Sequence, residues 1–563
     1  MLLKVNIIKK LSILFLFICW LGCNTHTEIK KKEIVKVPEK MDDQVSDNIK
    51  SVLHFAKENN GKISDSLRLA QFQIVNAFYD KNDFKSIWSK EESWNPIADS
   101  MFEFIKNSKY YGLYPEDYHY HELDSLRKRI SSDSMVRMDA IAWTKADLML
   151  SDAFMKTLKD LKEGRIIADS ISMATKDSIV NSFFIANLNK TLAVKELTQI
   201  FQSVEPANMH YALLKEGLKG FVDSMDTKKY LHIDFPYTDT LAFQKQLHKR
   251  LMQEGFANDS LLQLPDSVKL SDEVKKYQGY EKLKMDGKAG DGTVSLLNDN
   301  DNEKFRRIAI TLDRYKSLPL LPETYVWVNI PGFYLELWDH DTVVFKSKVI
   351  VGKPTNQTPV LHSEISNLVI FPNWTIPESI IKKEILPALK KDPGYLYRKG
   401  FSLVDYKGDE VDPFSVNWSK YKNGIPWKIV QGSGDDNALG IFKFNFSNPY
   451  SVYLHDTNQR YLFDNSNRAL SHGCVRVQKW EALAFYIAKE DSISSAPNHP
   501  MRYNIDSLKT WIANKARKTV MVKNRLPLYI EYFTCVGKDG KIIFYKDIYS
   551  DDQALGDKYF ANK

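Results

Sequence analysis

Cysteine is scarce in this chain: 563 residues carry four, at Cys19, Cys23, Cys474 and Cys535. So few thiols exclude a disulfide framework. Charge of one sign is lacking as well, since 78 Lys and Arg face 71 Asp and Glu for a formal +7. The basic residues are dispersed and form no stripe along a phosphate backbone, which excludes nucleic acid as the partner. The apolar run Leu11–Leu21 is too short to span a bilayer. Aromatics are plentiful at 12%, and hydrophobic residues reach 43%. That composition argues against wholesale disorder and for several domains with cores of their own.

The amino terminus reads as an export signal over residues 1–22. Lys4, Lys9 and Lys10 precede the apolar run, and Gly22-Cys23 closes it, as in a secretory signal. The end resembles a bacterial lipobox, with Trp20 where an aliphatic residue is usual. Cys23 is then the lipidated first residue of the mature chain; an ordinary signal peptide with an incidental cysteine is the alternative. Losing the three lysines with the signal lowers the net charge to +4. Residues 23–50 are polar and charged and read as a tether.

Residues 51–235 carry helical periodicity. Leu150, Phe154, Leu158 and Leu161 form an apolar stripe that ends at Gly164, and the region reads as an α-helical scaffold. His119 and His121 lie two apart, and a solvated tyrosine-rich turn explains them better than a metal site. Residues 236–300 read as a small helical module in which Tyr277-Gln278 precedes Met285-Asp286-Gly287. Glycines there allow a tight turn, and Thr293 is placed to cap the next helix. From 301 to 525 a helix (303–316) gives way to strands: Tyr325–Ile330, the alternating Phe333, Leu335 and Leu337, and Phe442, Phe444 and Phe446. The alternation lapses over about 386–434, an insertion that can act as a lid. Residues 526–563 read as carboxy-terminal strands packed on this region. The fold class is therefore α+β and multidomain, with a mostly antiparallel β domain carrying the chemistry.

That chemistry centres on Ser471-His472-Gly473-Cys474-Val475-Arg476, with Tyr453-Leu454-His455-Asp456-Thr457 upstream. A free thiol near pKa 8.5 is only a few per cent thiolate at neutral pH. Pairing with histidine is expected to lower Cys474 to about 6, a gain of roughly thirty-fold in thiolate, or about 2 kcal/mol. Oxyanion donors add on the order of 3 kcal/mol; the backbone N–H groups around His472, Gly473 and Cys474 are the natural source. Two histidines compete for the role of base. His472 shares a strand with the thiol, whereas a neighbouring strand can bring His455 onto it, and that geometry favours His455. Arg476 can order the loop, bind a substrate carboxylate or cap strand carbonyls. Asp456 can orient His455 through its carboxylate or its carbonyl. A Cys474–Cys535 bridge would silence both thiols; the histidine-rich setting favours a free Cys474.

The motif Ser471–Arg476 resembles the signature of the bacterial L,D-transpeptidases. The resemblance extends to Tyr453–Thr457, Asn437-Ala438-Leu439-Gly440, Phe371-Pro372-Asn373-Trp374-Thr375-Ile376-Pro377 and Val328-Asn329-Ile330-Pro331. Together these resemble the large subclass, which carries a scaffold, a peptidoglycan-binding-like module and a capping insertion. The resemblance implies Cys474 as nucleophile, His455 as base and the Asp456 carbonyl as its orienter. It implies His472 and Gly473 as the oxyanion loop, and Tyr453, Ser471, Arg476 and Trp374 on the substrate side. It further implies 3→3 cross-linking of peptidoglycan stems through a thioester, release of a terminal D-alanine, and acylation by carbapenems. No cofactor and no metal are implied.

The implied partners are donor and acceptor stem peptides, the membrane through the lipid anchor, and other wall-synthesis enzymes. The expected location is the periplasm, anchored to the inner or outer membrane, with a role in wall organisation and cell shape. Water or a wall-attached protein as acceptor gives an L,D-carboxypeptidase or an attachment transferase. A catalytically silent peptidoglycan-binding scaffold is the reading from another class. A sortase-like enzyme fits less well, because its arginine lies on a separate strand. Zinc held by His455, His472 and Cys474 lacks a fourth ligand.

Overall fold

The computed structural model describes residues 31–166, 181–257, 267–493 and 503–561. The export signal and Cys23 lie outside these. The chain divides near Pro206 into two compact units.

The first unit is helical. Helix α1 (Met41–Glu58) buries Met41, Val45, Ile49, Val52, Leu53 and Ala56 along one face, the three-to-four spacing of an amphipathic helix. The expected tether over 23–50 is thus corrected from Met41 onward, because that face is apolar despite the polar residues between. Helix α2 (Ala140–Lys162) buries the whole stripe from Leu150 to Leu161. It also buries three carboxylates that hold incoming loops. Asp147 accepts from the backbone N–H of Ile87 and Trp88 at 3.2 and 3.0 Å. Asp152 accepts from Ala70 and Gln71 at 3.0 and 2.6 Å, and Asp160 from the Tyr118 hydroxyl at 2.8 Å. His119 is not a solvated turn residue: its ring lies 2.8 Å from Asp152 and is mostly buried.

In the second unit, α3 (Met209–Ser224) packs on the barrel described below, so the expected scaffold limit at 235 does not coincide with this boundary. Helices α4 (Thr240–Gln253), α5 (Ser267–Tyr280) and α6 (Asp291–Asn298) share a small core built on Phe243, Leu247, Leu251, Val274, Tyr277 and Leu297. Gln278 organises the turn between α5 and α6. Its amide donates to Asp286 Oδ1, the Lys288 carbonyl and Thr293 Oγ1 and accepts from Gly287 N–H. Thr293 sits buried inside the first turn of α6, and Gly290 occupies the N-cap, so the expected threonine cap does not form.

After α7 (Asp301–Lys316) the β domain begins. Its strands are β1 (Thr324–Asn329), β2 (Tyr334–Asp339), β3 (Thr342–Gly352), β4 (Leu361–Ile370), β5 (Trp374–Thr375), β6 (Phe401–Val404) and β7 (Lys428–Gln431). They continue with β8 (Phe442–Phe446), β9 (Leu454–His455), β10 (Ala469–Ser471), β11 (Val475–Val477) and β12 (Lys518–Glu531). A hairpin, β13 (Cys535–Lys538) and β14 (Lys541–Phe544), follows. The main sheet runs β10-β3-β11-β9-β8-β4-β12-β1-β2, and β2 pairs back onto β3. That last pairing closes the sheet into a barrel filled by Val326, Leu335, Val349, Leu368, Phe444 and Leu454.

The carboxy-terminal segment is part of this barrel: β12 lies between β4 and β1, so the expected boundary at 526 cuts through a strand. The chain also ends in a helix, Asp551–Tyr559, where strands were expected. The ladder of β12 with β4 shifts between Met521 and Leu526. There Lys523 and Asn524 donate their N–H groups to Asp491 instead, at 2.9 and 2.8 Å. The insertion starts earlier than 386, at β5. Strands β5, β7 and β6 form a separate sheet over a core that includes Ile376, Ile380, Leu386, Leu389, Trp418 and Ile429.

His210 on α3 stacks on Trp327 at 4.1 Å and meets the Tyr325 hydroxyl at 3.0 Å. Burial lowers its pKa to about 3. The unfolded chain binds the proton near pH 6.5, so stability is intact above that value and falls as pH drops toward 3. Denaturant unfolding is expected to show about 2 kcal/mol lost between pH 7 and pH 5 for this histidine. His210→Phe should flatten that loss, and an unchanged slope would contradict the assignment.

Candidate active site

Strand pairing assembles the site. On β8, Lys443 pairs with His455 and Phe444 with Leu454. On β11, Val475 pairs with Leu454 and Arg476 with His455. Directly paired residues share a face and alternate residues switch faces. Phe442, Phe444, Leu454, Val475 and Val477 therefore enter the barrel core, where all are buried. Lys443, Tyr453, His455, Cys474 and Arg476 share the opposite face. The Val475 N–H donates to the Tyr453 carbonyl at 3.1 Å, which continues the register one step and sets Cys474 across from Tyr453.

The turn before β11 is held internally. Gly473 has φ +116 and donates its N–H to Ser471 Oγ at 3.1 Å, while Ser471 Oγ donates to the Cys474 carbonyl at 2.6 Å. Thr358 Oγ1 donates to the Gly473 carbonyl at 2.8 Å. Gly473 N–H is thereby engaged within the loop, whereas Cys474 N–H has no acceptor among the described residues. His472 turns to the insertion, its Nε2 2.6 Å from Glu384 Oε1. Arg476 Nη1 reaches Thr457 Oγ1 and Gln459 Oε1 at 3.3 and 3.1 Å.

The Asp456 carboxylate is occupied elsewhere. It accepts from Ile441 N–H at 3.1 Å and from Arg460 at 3.1 and 2.6 Å. A Cβ at Gly440 would stand 2.3 Å from that carboxylate, so the turn after Asn437 requires glycine. The backbone carbonyls of Asp456 and Leu439 lie near the His455 ring, whose Nδ1 is buried with no hydrogen-bond partner among the described residues. Trp374, on the insertion's β5, lies near Tyr453, its indole Nε1 buried with no hydrogen-bond partner among the described residues. Cys474 and Cys535 are free thiols, and Cys535 is buried against Thr311 Oγ1 at 3.2 Å. The bridge between them is excluded. Among the described residues no three His, Cys, Asp or Glu side chains converge as a metal site.

A family model described as the YkuD L,D-transpeptidase catalytic domain matches residues 323–492, and one described as a scaffold domain matches residues 73–218. The chain carries an L,D-transpeptidase catalytic domain behind a scaffold domain. A curated L,D-transpeptidase homologue of Haemophilus influenzae is 34% identical over 250 residues, which is 44% of this chain and 49% of the relative. The chain thus spans about half the length of that relative. A solved L,D-transpeptidase of Stackebrandtia nassauensis shares 14% identity over 54% of this chain and 97% of its own, at a TM-score of 0.15. One of Enterococcus faecium shares 11% over 38% of this chain and 52% of its own, also at 0.15.

Electrostatics in the transpeptidase domain depart from the sequence expectation. Burial pushes the Cys474 thiol up rather than down to about 6; the Tyr453 N–H and phenol, Lys443 and Arg476 pull the other way without overcoming it. Burial, with Arg476, lowers His455 to about 3. Desolvation disfavours both charged forms, so the resting pair is a neutral thiol and a neutral imidazole. Iodoacetamide alkylation of Cys474, read by peptide mass, should keep climbing with pH above the ordinary thiol value of about 8.5. A plateau near pH 6 would show a preformed thiolate instead.

Lys443 escaped sequence reading, where it passed for the polar half of a strand. Its signal was the register with His455, which needs the pairing partner.

Proposed function

We propose that the domain is a cysteine acyltransferase that forms 3→3 cross-links between peptidoglycan stems. The observation that carries this reading is the shared face of Cys474, His455, Tyr453 and Arg476. His455 is neutral at pH 7 and so holds an unprotonated ring nitrogen, a weak base until negative charge enters beside Lys443 and Arg476. The Cys474 sulfur attacks the carbonyl of the third residue of a tetrapeptide stem as its proton passes to His455. The Asp456 carbonyl steadies the imidazolium. The oxyanion meets Cys474 N–H, the loop donor left open. Collapse returns the proton from His455 to the departing D-alanine amine and leaves a thioester. The side-chain amine of a second stem then attacks, its proton goes to His455, and the new amide forms as the sulfur leaves and takes that proton back from His455 as the free thiol.

In this reading Ser471, His472 and Gly473 shape the oxyanion loop. Tyr453, Arg476 and Trp374 line the donor side, under an insertion that caps the site. The chain works outside the cytoplasm, in the periplasm, held to a membrane through lipid on Cys23; among the described residues no helix is long and apolar enough to cross one. This follows from Lys4, Lys9, Lys10 and the run ending at Gly22-Cys23.

Cys474→Ala should reduce D-alanine release from purified tetrapeptides to background while leaving the unfolding midpoint in place. Persistent release would refute the thioester. His455→Gln should slow acylation by about 10²–10⁴-fold, as expected for loss of a general base. A carbapenem should add its mass to the wild-type chain and not to Cys474→Ala. Muropeptide analysis of the products distinguishes cross-linked dimers from the tripeptides that water as acceptor would give.

A further inference from the structure

Two cations flank the thiol with no anion to answer them. Lys443 and Arg476 are half-buried, and among the described residues neither has a carboxylate within ion-pair distance. Two carboxylates of the surrounding loops are already taken: Asp456 by Arg460, and Glu384 by His472 and Lys353. Lys443 Nζ sits 3.8 Å from the centre of the Tyr453 ring, a cation–π contact that fixes the ammonium without neutralising it. Tyr453 in turn meets His455 edge-on at 5.5 Å. A partly desolvated cation held without a counter-ion is costly to fold around, and such groups cluster at functional sites.

The resting site offers no compensating charge, since thiol and imidazole are both neutral. Cys474 couples electrostatically to both cations, so both stand close enough to the reacting sulfur to reach groups beside the scissile bond. The donor in the proposed reaction carries carboxylates at such places. One is on the terminal residue that leaves; another can be borne by the diamino acid that stays.

We propose that Lys443, with Arg476 beside it, binds a carboxylate of the donor stem flanking the scissile bond and so sets the donor's direction across Cys474. This rests on the transpeptidase reading and adds to it a residue and a specificity. An ammonium–carboxylate contact of this kind is worth about ten- to a hundredfold in affinity. A donor without that carboxylate should lose this factor and become indifferent to Lys443. Arginine at 443 keeps the charge and should restore part of the binding.

The test uses the full chain and three tetrapeptides: free, terminally amidated, and amidated at the diamino acid's own carboxyl. Affinities are measured by calorimetry in a Cys474→Ala background, with and without Lys443→Met or Lys443→Arg, and kcat/KM is measured with Cys474 present. A Lys443→Met penalty of about ten- to a hundredfold on the free donor that collapses on one amidated donor supports the proposal and names the carboxylate. A penalty equal on all three donors overturns it and leaves Lys443 acting on the thiol or the fold. In that case the alkylation profile of Cys474 shifts as well, or the unfolding midpoint falls. Release of D-alanine by the unaltered chain stands apart from these outcomes. If it is absent with every donor, the transpeptidase reading fails rather than this assignment alone.

Discussion

Everything at the site depends on the two-residue alternation of three short strands held in one register. Lys443 opposite His455 and His455 opposite Arg476 put the polar set on one face and Phe444, Leu454 and Val475 in the barrel. A slip of one residue would send Cys474 and His455 into the core and turn the phenylalanines out. The apolar half of the pattern is thus what holds the chemical half in place, and β9 can be as short as two residues because both neighbours specify it.

Burial then sets the charge state. The same packing that aligns Cys474 and His455 removes them from water, which raises the thiol and lowers the imidazole. The sequence expectation was a thiolate–imidazolium pair. For Cys474 desolvation outweighs the pull of Lys443 and Arg476 toward the thiolate, and for His455 the same two cations add to it. The result is a resting site with two cations beside a neutral thiol and a neutral imidazole.

Elements far apart in the chain supply the frame. Strand β12 inserts between β4 and β1, and the barrel closes only when β2 returns to β3. The insertion contributes Trp374 beside Tyr453 and Glu384 on His472, so two separate cores, one under the barrel and one under the cap, position groups around a single thiol. Gly440 leaves the room that the Asp456 carboxylate occupies, and Arg460 holds that carboxylate.

Much of this was legible before folding. The chain from Ser471 to Arg476, the Tyr453–Thr457 segment and the alternating phenylalanines carry their meaning locally, since a motif and a period of two need no partner to be read. Helix α2 was legible for the same reason. The tether reading failed from Met41 onward because its polar residues hid an apolar face, visible only at helical spacing. The boundary at 526 failed because membership of a sheet is set by hydrogen bonds to β4 and β1, distant in sequence. Lys443 was invisible as a site residue for that reason too. The amino-acid order by itself determined which residues make up the candidate site and which alternate into a core. Tertiary structure alone decided which of them face one another, that Gly473 N–H turns inward, and that thiol and imidazole rest uncharged, because register, hydrogen-bond partners and desolvation exist only between strands brought together by folding.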